Sequence, residues 1–164
     1  MLRNFRCDIV ILQKTKMEEV NLFMAFSLWG RRSVDWLVLP SVGRSGGIVI
    51  IWDDQALELI DSKRGTYATC GKFKSLKDDF VWGLIGVYGS NNDNLRFALF
   101  DELKFFMSQW DIRWCLGGDF NVVRSPHKRS SEGLLSSLML EFSDFINVCG
   151  FIDPPLEGGV LHLV

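Results

Sequence analysis

The chain has 164 residues, 48% of them hydrophobic, with 18 basic and 20 acidic side chains and a formal net charge of -2. A chain of this length buries roughly 70% of the surface its unfolded form exposes, so it can build a core without metal or disulfide staples, and disorder and collagen-like structure are excluded. The near-neutral balance argues against a histone-like polybasic binder, but not against an enzyme that handles one phosphodiester at a local site.

Along the chain, Asp8 to Gln13 is a short apolar run with β-branched residues, the pattern of a strand buried on both faces. Met17, Val20, Met24 and Leu28 recur at spacings of 3, 4 and 4, which predicts an amphipathic helix over Lys16 to Leu28. Trp36 to Leu39 reads as a strand ended by Pro40. Gly43-Arg44-Ser45-Gly46-Gly47, with three glycines in five residues, reads as a turn, and Ile48 to Trp52 follows as the second arm of an antiparallel hairpin. Alternation in Leu57-Glu58-Leu59-Ile60 and in Thr66 to Cys70 predicts two more strands, and Val81 to Tyr88 another.

Leu95, Leu99, Leu103, Phe106 and Trp110 recur at 4, 4, 3 and 4, which predicts a helix over Asn94 to Trp110. Arg113 to Asp119 reads as a strand running into a tight glycine turn. Leu135, Leu138, Phe142, Phe145 and Cys149 define a last helix, capped by Gly150 and followed by Asp153-Pro154-Pro155 and Gly158-Gly159. Without internal repeats, low-complexity tracts or linkers, residues 1–164 read as one domain. Helices combined with both hairpins and strand-helix-strand units suggest a layered α/β sandwich.

Cys7, Cys70, Cys115 and Cys149 are scattered and form no Cys-x-x-Cys pair, so neither a zinc site nor a redox motif is readable; they read as small buried hydrophobes in a reducing compartment. Met1 to Arg6 lacks the apolar core of a signal peptide, and no fully apolar run is longer than Ile48 to Trp52, which is too short to cross a bilayer. The expectation is an intracellular protein, nuclear or cytoplasmic, and not secreted. The 13 Phe and 6 Trp fall mostly on predicted core faces, so they do not read as base-stacking platforms.

Chemistry concentrates in Gly117-Gly118-Asp119-Phe120-Asn121, directly after an apolar strand. Two glycines let the backbone turn, so that Asp119 and Asn121 can project on the same side. An acid and an amide so placed can divide phosphoryl chemistry: the carboxylate aligns or deprotonates a water, and the amide donates to a phosphate oxygen as charge builds. The plainer alternative is a glycine turn in which Asp119 caps the local backbone.

This pentapeptide has company. Asp8-Ile9-Val10-Ile11-Leu12-Gln13-x-Thr15-Lys16, Gly46-Gly47-Ile48 and Val87-Tyr88-Gly89-Ser90-Asn91 precede it in the order and at about the intervals of the endonuclease/exonuclease/phosphatase family, which the chain resembles from about Phe5 to Gly159. Trp114 to Arg124 and Glu141 to Ile146 are most similar to the endonuclease domain of plant non-LTR (LINE-type) retrotransposons. The resemblance implies an α/β fold of the DNase I-like kind, a four-layered α/β/β/α sandwich, here incomplete and truncated at both ends. In intact members it implies magnesium-dependent cleavage of a phosphodiester, with DNA as partner. Asp119 matches the family's water-activating aspartate, Asn121 the asparagine on the scissile phosphate, Tyr88 a tyrosine over that phosphate and Asn91 the loop asparagine beside it. Tyr88 also reads, more plainly, as a strand-end aromatic closing the core.

The departures point away from catalysis. Where the family's Leu-Gln-Glu-Thr-Lys supplies a metal-binding glutamate, this chain reads Leu12-Gln13-Lys14-Thr15-Lys16. A hard dication needs oxygen ligands, and an ammonium there repels it, so Mg2+ is not expected to bind. The resemblance also implies that Lys14, Tyr88, Asp119 and Asn121 gather at one end of the sheets, where Lys14 can pair with Asp119. The family's N-terminal strand with its asparagine and its C-terminal Asp-His segment have no counterpart, and its Phe-Thr-Trp is altered to Leu161-His162-Leu163, where His162 is not expected to act in chemistry. Loss of a strand should expose a sheet edge and leave the domain marginally stable. Arg124 to Arg129, with four residues that are or can become cationic, is either a solvated loop or a sequence-independent contact to a nucleic-acid backbone.

Three readings therefore stand: an inactive retroelement-derived domain, a working magnesium phosphodiesterase in which Glu18 or Glu19 replaces Lys14, and a non-enzymatic module that binds nucleic acid or protein.

Overall fold

The structure, a computed structural model, describes residues 7–30, 33–42, 45–90, 93–122 and 137–152. It divides into two compact units, Met1–Phe120 and Asn121–Val164. The first contains β1 (Ile9–Gln13), α1 (Leu22–Trp29), β2 (Asp35–Val42), β3 (Ser45–Trp52), β4 (Leu57–Arg64), β5 (Ala68–Ser75), β6 (Val81–Tyr88), α2 (Asp93–Ser108) and β7 (Arg113–Asp119); the second contains α3 (Ser137–Val148).

Two sheets form the middle of the first unit. One is antiparallel, in the order β1-β3-β2; the other has the order β4-β5-β6-β7, antiparallel except for the parallel pair β6 and β7. The central strand β3 explains the layering. Ile48, Val49, Ile50, Ile51 and Trp52 are all buried, so the run is apolar on both faces and shows no alternation. Val49 and Ile51 face α1, clustering with Ala25, Trp29 and Val34. Ile48, Ile50 and Trp52 face the second sheet, clustering with Leu37, Leu57, Phe73 and Leu84. On the far side of that sheet lies α2, with Leu99, Phe100, Leu103 and Phe106 buried. The layers run helix, sheet, sheet, helix, the α/β/β/α sandwich the sequence suggests.

Several boundaries differ from the sequence expectation. The first helix starts at Leu22, not Lys16: Lys16 has a left-handed backbone (φ 53°), and Asn21 caps the helix by accepting from the Met24 amide at 2.9 Å. Met17 and Val20 are spent differently, their carbonyls accepting from the Ser41 amide and the Trp36 indole. β2 does not stop at Pro40 but runs to Val42, which the missing N–H permits because β2 is an edge strand. Ser45 to Gly47, expected in a turn, belong to β3 and pair with β2 at Ser45 and Gly46, while residues 43–44 lie outside the described residues. β4 and β5 are longer than the alternation implied and meet across a bulge between Leu59 and Asp61. The helix α2 runs from Asp93 to Ser108, not Asn94 to Trp110. Gly117 and Gly118 make no turn, since β7 continues through them to Asp119.

The cysteine expectation holds for Cys70, which is buried, but Cys115 is exposed, and Cys7 and Cys149 are half-buried. Likewise Phe23 (79% exposed) and Phe105 stand away from the core. Among the described residues no helix is long and apolar enough to cross a membrane. Two of the four edge strands differ in character: β4 carries Glu58, Asp61, Lys63 and Arg64, whereas β1 reads Ile-Val-Ile-Leu-Gln, and among the described residues nothing pairs with its free side.

In the second unit, α3 buries Met139, Phe142 and Phe145, and Phe145 meets the Phe151 ring at 5.9 Å. Gly150 takes the left-handed conformation (φ 67°) that closes the helix, as its place in the sequence suggests. Leu135, the Pro154-Pro155 pair, Gly158-Gly159 and Leu161-His162-Leu163 lie outside the described residues.

One carboxylate ties α2 to the second sheet. Glu102 accepts from the backbone amides of Thr66 (2.8 Å), Tyr67 (3.0 Å) and Ala68 (2.8 Å) at the β4–β5 turn, so close to Gly65 that a side chain there would collide with it. Glu102→Ala is expected to cost about 1–3 kcal/mol in urea unfolding by orphaning these donors. Burial also pushes the Cys70 thiol up to about 11, from 9.0. Because the unfolded thiol ionises first, stability should fall as pH rises from about 9 to about 11. Cys70→Ala should flatten the stability–pH curve in that window.

Candidate functional site

The site forms where β1 from one sheet meets the parallel pair β6 and β7 from the other. Register sets Val87 beside Gly118 and Tyr88 beside Asp119, so a phenol and a carboxylate end adjacent strands together. In open α/β sheets this carboxyl end of parallel strands is where ligands bind. On the opposite sheet β1 ends at Gln13, and Lys14 leaves it with a left-handed backbone (φ 53°).

Three side chains then cross between the sheets. The Gln13 amide Nε2 donates to the Val87 carbonyl. Lys14 Nζ lies 3.4 Å from Asp119 Oδ2 and 5.8 Å from the centre of the Tyr88 ring. The same ring flanks Gly46, where a Cβ would touch it at 3.6 Å. The amides of Thr15 and Lys16 donate to the carbonyls of Gly47 and Gly46, both at 3.4 Å, which holds the Lys14 segment along the start of β3. Asp119 is fixed from behind as its own carbonyl accepts from the Gly89 amide at 2.7 Å.

Lys14, Tyr88 and Asp119 are therefore brought together, as the motif order suggests. Asp119 gives its carboxylate to Lys14. Tyr88 packs partly buried against the inter-sheet core, the plainer of its two readings, and its ring lies beneath the Lys14 ammonium. Asn121 begins the second unit, with a left-handed backbone (φ 52°). Asn91 and the basic loop Arg124 to Arg129 lie outside the described residues. Gln13 and Gly46 are contributors that sequence reading gave no role. Gln13 was visible as the single polar residue closing an apolar strand.

The donor set does not suit a magnesium ion. Among the described residues no three His, Cys, Asp or Glu side chains gather within reach of one ion. Beside Asp119 stands an ammonium, a group without lone pairs and with the charge of the ion it would have to bind.

No family model and no curated protein sequence matches the chain. Solved structures do. The mannosyl-6-phosphatase of Bacteroides thetaiotaomicron is similar over 74% of this chain and 54% of its own, with TM-score 0.56 and 14% identity. The human Nocturnin catalytic domain is similar over 73% and 53%, with TM-score 0.53 and 16% identity. An endonuclease/exonuclease/phosphatase from Bacteroides vulgatus is similar over 76% and 56%, with TM-score 0.56 and 17% identity. At such identities the likeness establishes the fold, which is the DNase I-like sandwich of endonuclease/exonuclease/phosphatase proteins. The chain spans about half the length of the structures it matches.

Gly118 has φ 141°, and a Cβ there would run into the Val87 carbonyl and the Gln13 amide. Gly118→Ala should therefore cost about 2 kcal/mol or more in urea unfolding. Gly150→Ala, with nothing within 4 Å, should cost only about 1 kcal/mol for its left-handed backbone.

Proposed function

We propose that the chain is an endonuclease/exonuclease/phosphatase domain of retroelement origin that no longer hydrolyses phosphodiesters. The fold supports the family, and the ordered motifs ending in Asp119-Phe120-Asn121 support a nucleic-acid-cleaving ancestor. The observation that carries the loss of activity is the ammonium of Lys14 at 3.4 Å from the Asp119 carboxylate.

That contact opposes hydrolysis in two ways. Asp119 would have to direct a lone pair at a water, and Lys14 competes as a charged donor for the same oxygen. Phosphoryl transfer also needs charge stabilisation and alignment by several groups together. A divalent ion would supply that charge in an intact member. Here the position of its glutamate ligand is a lysine, and the Glu18 and Glu19 side chains are exposed. Residual contact with DNA, through the basic loop Arg124 to Arg129, would be weak and independent of sequence.

Purified protein incubated with supercoiled plasmid and magnesium is expected to leave the plasmid uncut. Nicking that disappears in Asp119→Ala would reverse the proposal and make the chain a working phosphodiesterase. Retention of labelled DNA in EDTA, lost at raised salt, would support a binding module with no hydrolysis.

A further inference from the structure

We propose that the site has become an electrostatic clasp between the two sheets, in which Lys14 takes over the charge balance a divalent cation would give to Asp119. The proposal rests on the non-hydrolytic reading of the same site, but it concerns what holds the fold together.

Its ground is the direction of the contacts. Gln13 to Val87, Lys14 to Asp119 and Lys14 to Tyr88 each join the end of the first sheet to the second. At this end of the sandwich the polar bridges replace the apolar filling found further in. The left-handed backbone of Lys14 is sterically unfavourable for a residue with a Cβ, and it turns the chain out of β1 so that the ammonium meets Asp119. With side chains 59% and 38% exposed the pair is open to solvent, so its contribution is modest and falls with added salt.

A glutamate at position 14 would set two carboxylates against each other across the sheets. Their repulsion would lower stability modestly unless a hard dication bridged them, since oxygen ligands are what such an ion requires. A single substitution should thus convert a metal-indifferent clasp into a metal-dependent one.

Thermal melts by circular dichroism, in EDTA, in magnesium chloride and in sodium chloride of matched ionic strength, test this. Wild-type protein should melt at the same temperature in magnesium and in matched sodium. Lys14→Met should melt lower, by up to about 4 °C, and ignore magnesium. Lys14→Glu should fall further in EDTA and recover in magnesium but not in matched sodium. The charge-swapped double variant, Lys14→Glu with Asp119→Lys, should melt near wild type and lose the magnesium response.

A Lys14→Glu protein as stable as wild type in EDTA, or indifferent to magnesium, would overturn the clasp, as would a magnesium-stabilised wild type. If Lys14→Glu cannot be obtained folded, the double variant decides: a wild-type-like melt upholds the proposal, and an unfolded chain defeats it. A wild type that nicks DNA while its melt ignores magnesium would remove the functional proposal alone. A non-nicking wild type whose Lys14→Glu variant ignores magnesium would remove the clasp alone.

Discussion

The first sheet can seat itself on β6 and β7 because two glycines lie side by side beneath Ile11. Gly86 and Gly117 are cross-strand partners, and together they leave a hollow on the inner face of the second sheet. A Cβ on Gly117 would come within 2.7 Å of Ile11 Cδ1, and one on Gly86 would press on Ile48 at 3.0 Å and Ile11 at 3.4 Å. The sheets are held apart by large side chains elsewhere: Trp52 of the first sheet meets Phe73 of the second edge-on at 5.0 Å, and Trp82 lies beside Phe73 in the second sheet at 5.7 Å. The gap is therefore graded, aromatic at one end and narrow at the other. Close packing leaves no slack in such an arrangement. Once Ile11 drops into the hollow, Gln13 reaches the Val87 carbonyl and Lys14 reaches Asp119 without further adjustment.

The outer helices are attached by different means, and only one attachment leads toward the site. α1 is held by apolar contact, through Ala25 and Trp29 against Val49 and Ile51. α2 adds the Glu102 carboxylate, which collects the amides of Thr66, Tyr67 and Ala68. Tyr67 then accepts the Tyr88 amide on its carbonyl at 3.0 Å. A peptide unit polarised by a carboxylate at one end is a better acceptor at the other, so the helix on the outside helps fix the backbone of the aromatic on the inside.

Sequence pattern reported burial well and backbone geometry poorly, and the errors divide along that line. β6 and the core of α2 were legible because their apolar run and helical stripe are buried, whereas β1 and β7 were legible as apolar runs although β1, expected to be buried on both faces, is only half-buried and β7 alternates half-buried with exposed residues. The early start given to α1 came from Met17 and Val20, which fit the helical period but serve the sheet with their carbonyls. Pro40 looked like a stop because its tolerance depends on β2 lying at an edge, and strand order is not written in a local window. Gly117 and Gly118 looked like a turn because a sequence cannot distinguish a glycine that bends the chain from one that admits a neighbour. At the site, Lys14, Tyr88 and Asp119 were readable through the resemblance of their motifs to the family pattern. The cross-sheet bond of Gln13 and the support of Gly46 were not, since both depend on how two sheets are stacked.

Much of the site's geometry would survive the loss of its chemistry, because packing maintains it. Gly86 and Gly117 are required by Ile11, Gly118 by the Val87 carbonyl and the Gln13 amide, and Tyr88 by the inter-sheet core. Position 14 is different: its side chain is 59% exposed, and nothing in the core constrains what stands there. A substitution at that position can change the charge beside Asp119 while leaving the packing of the sandwich intact. The places of Asp119 and Tyr88 are thus set by packing, backbone hydrogen bonds and charge, whereas position 14 is one at which packing leaves the side chain unconstrained.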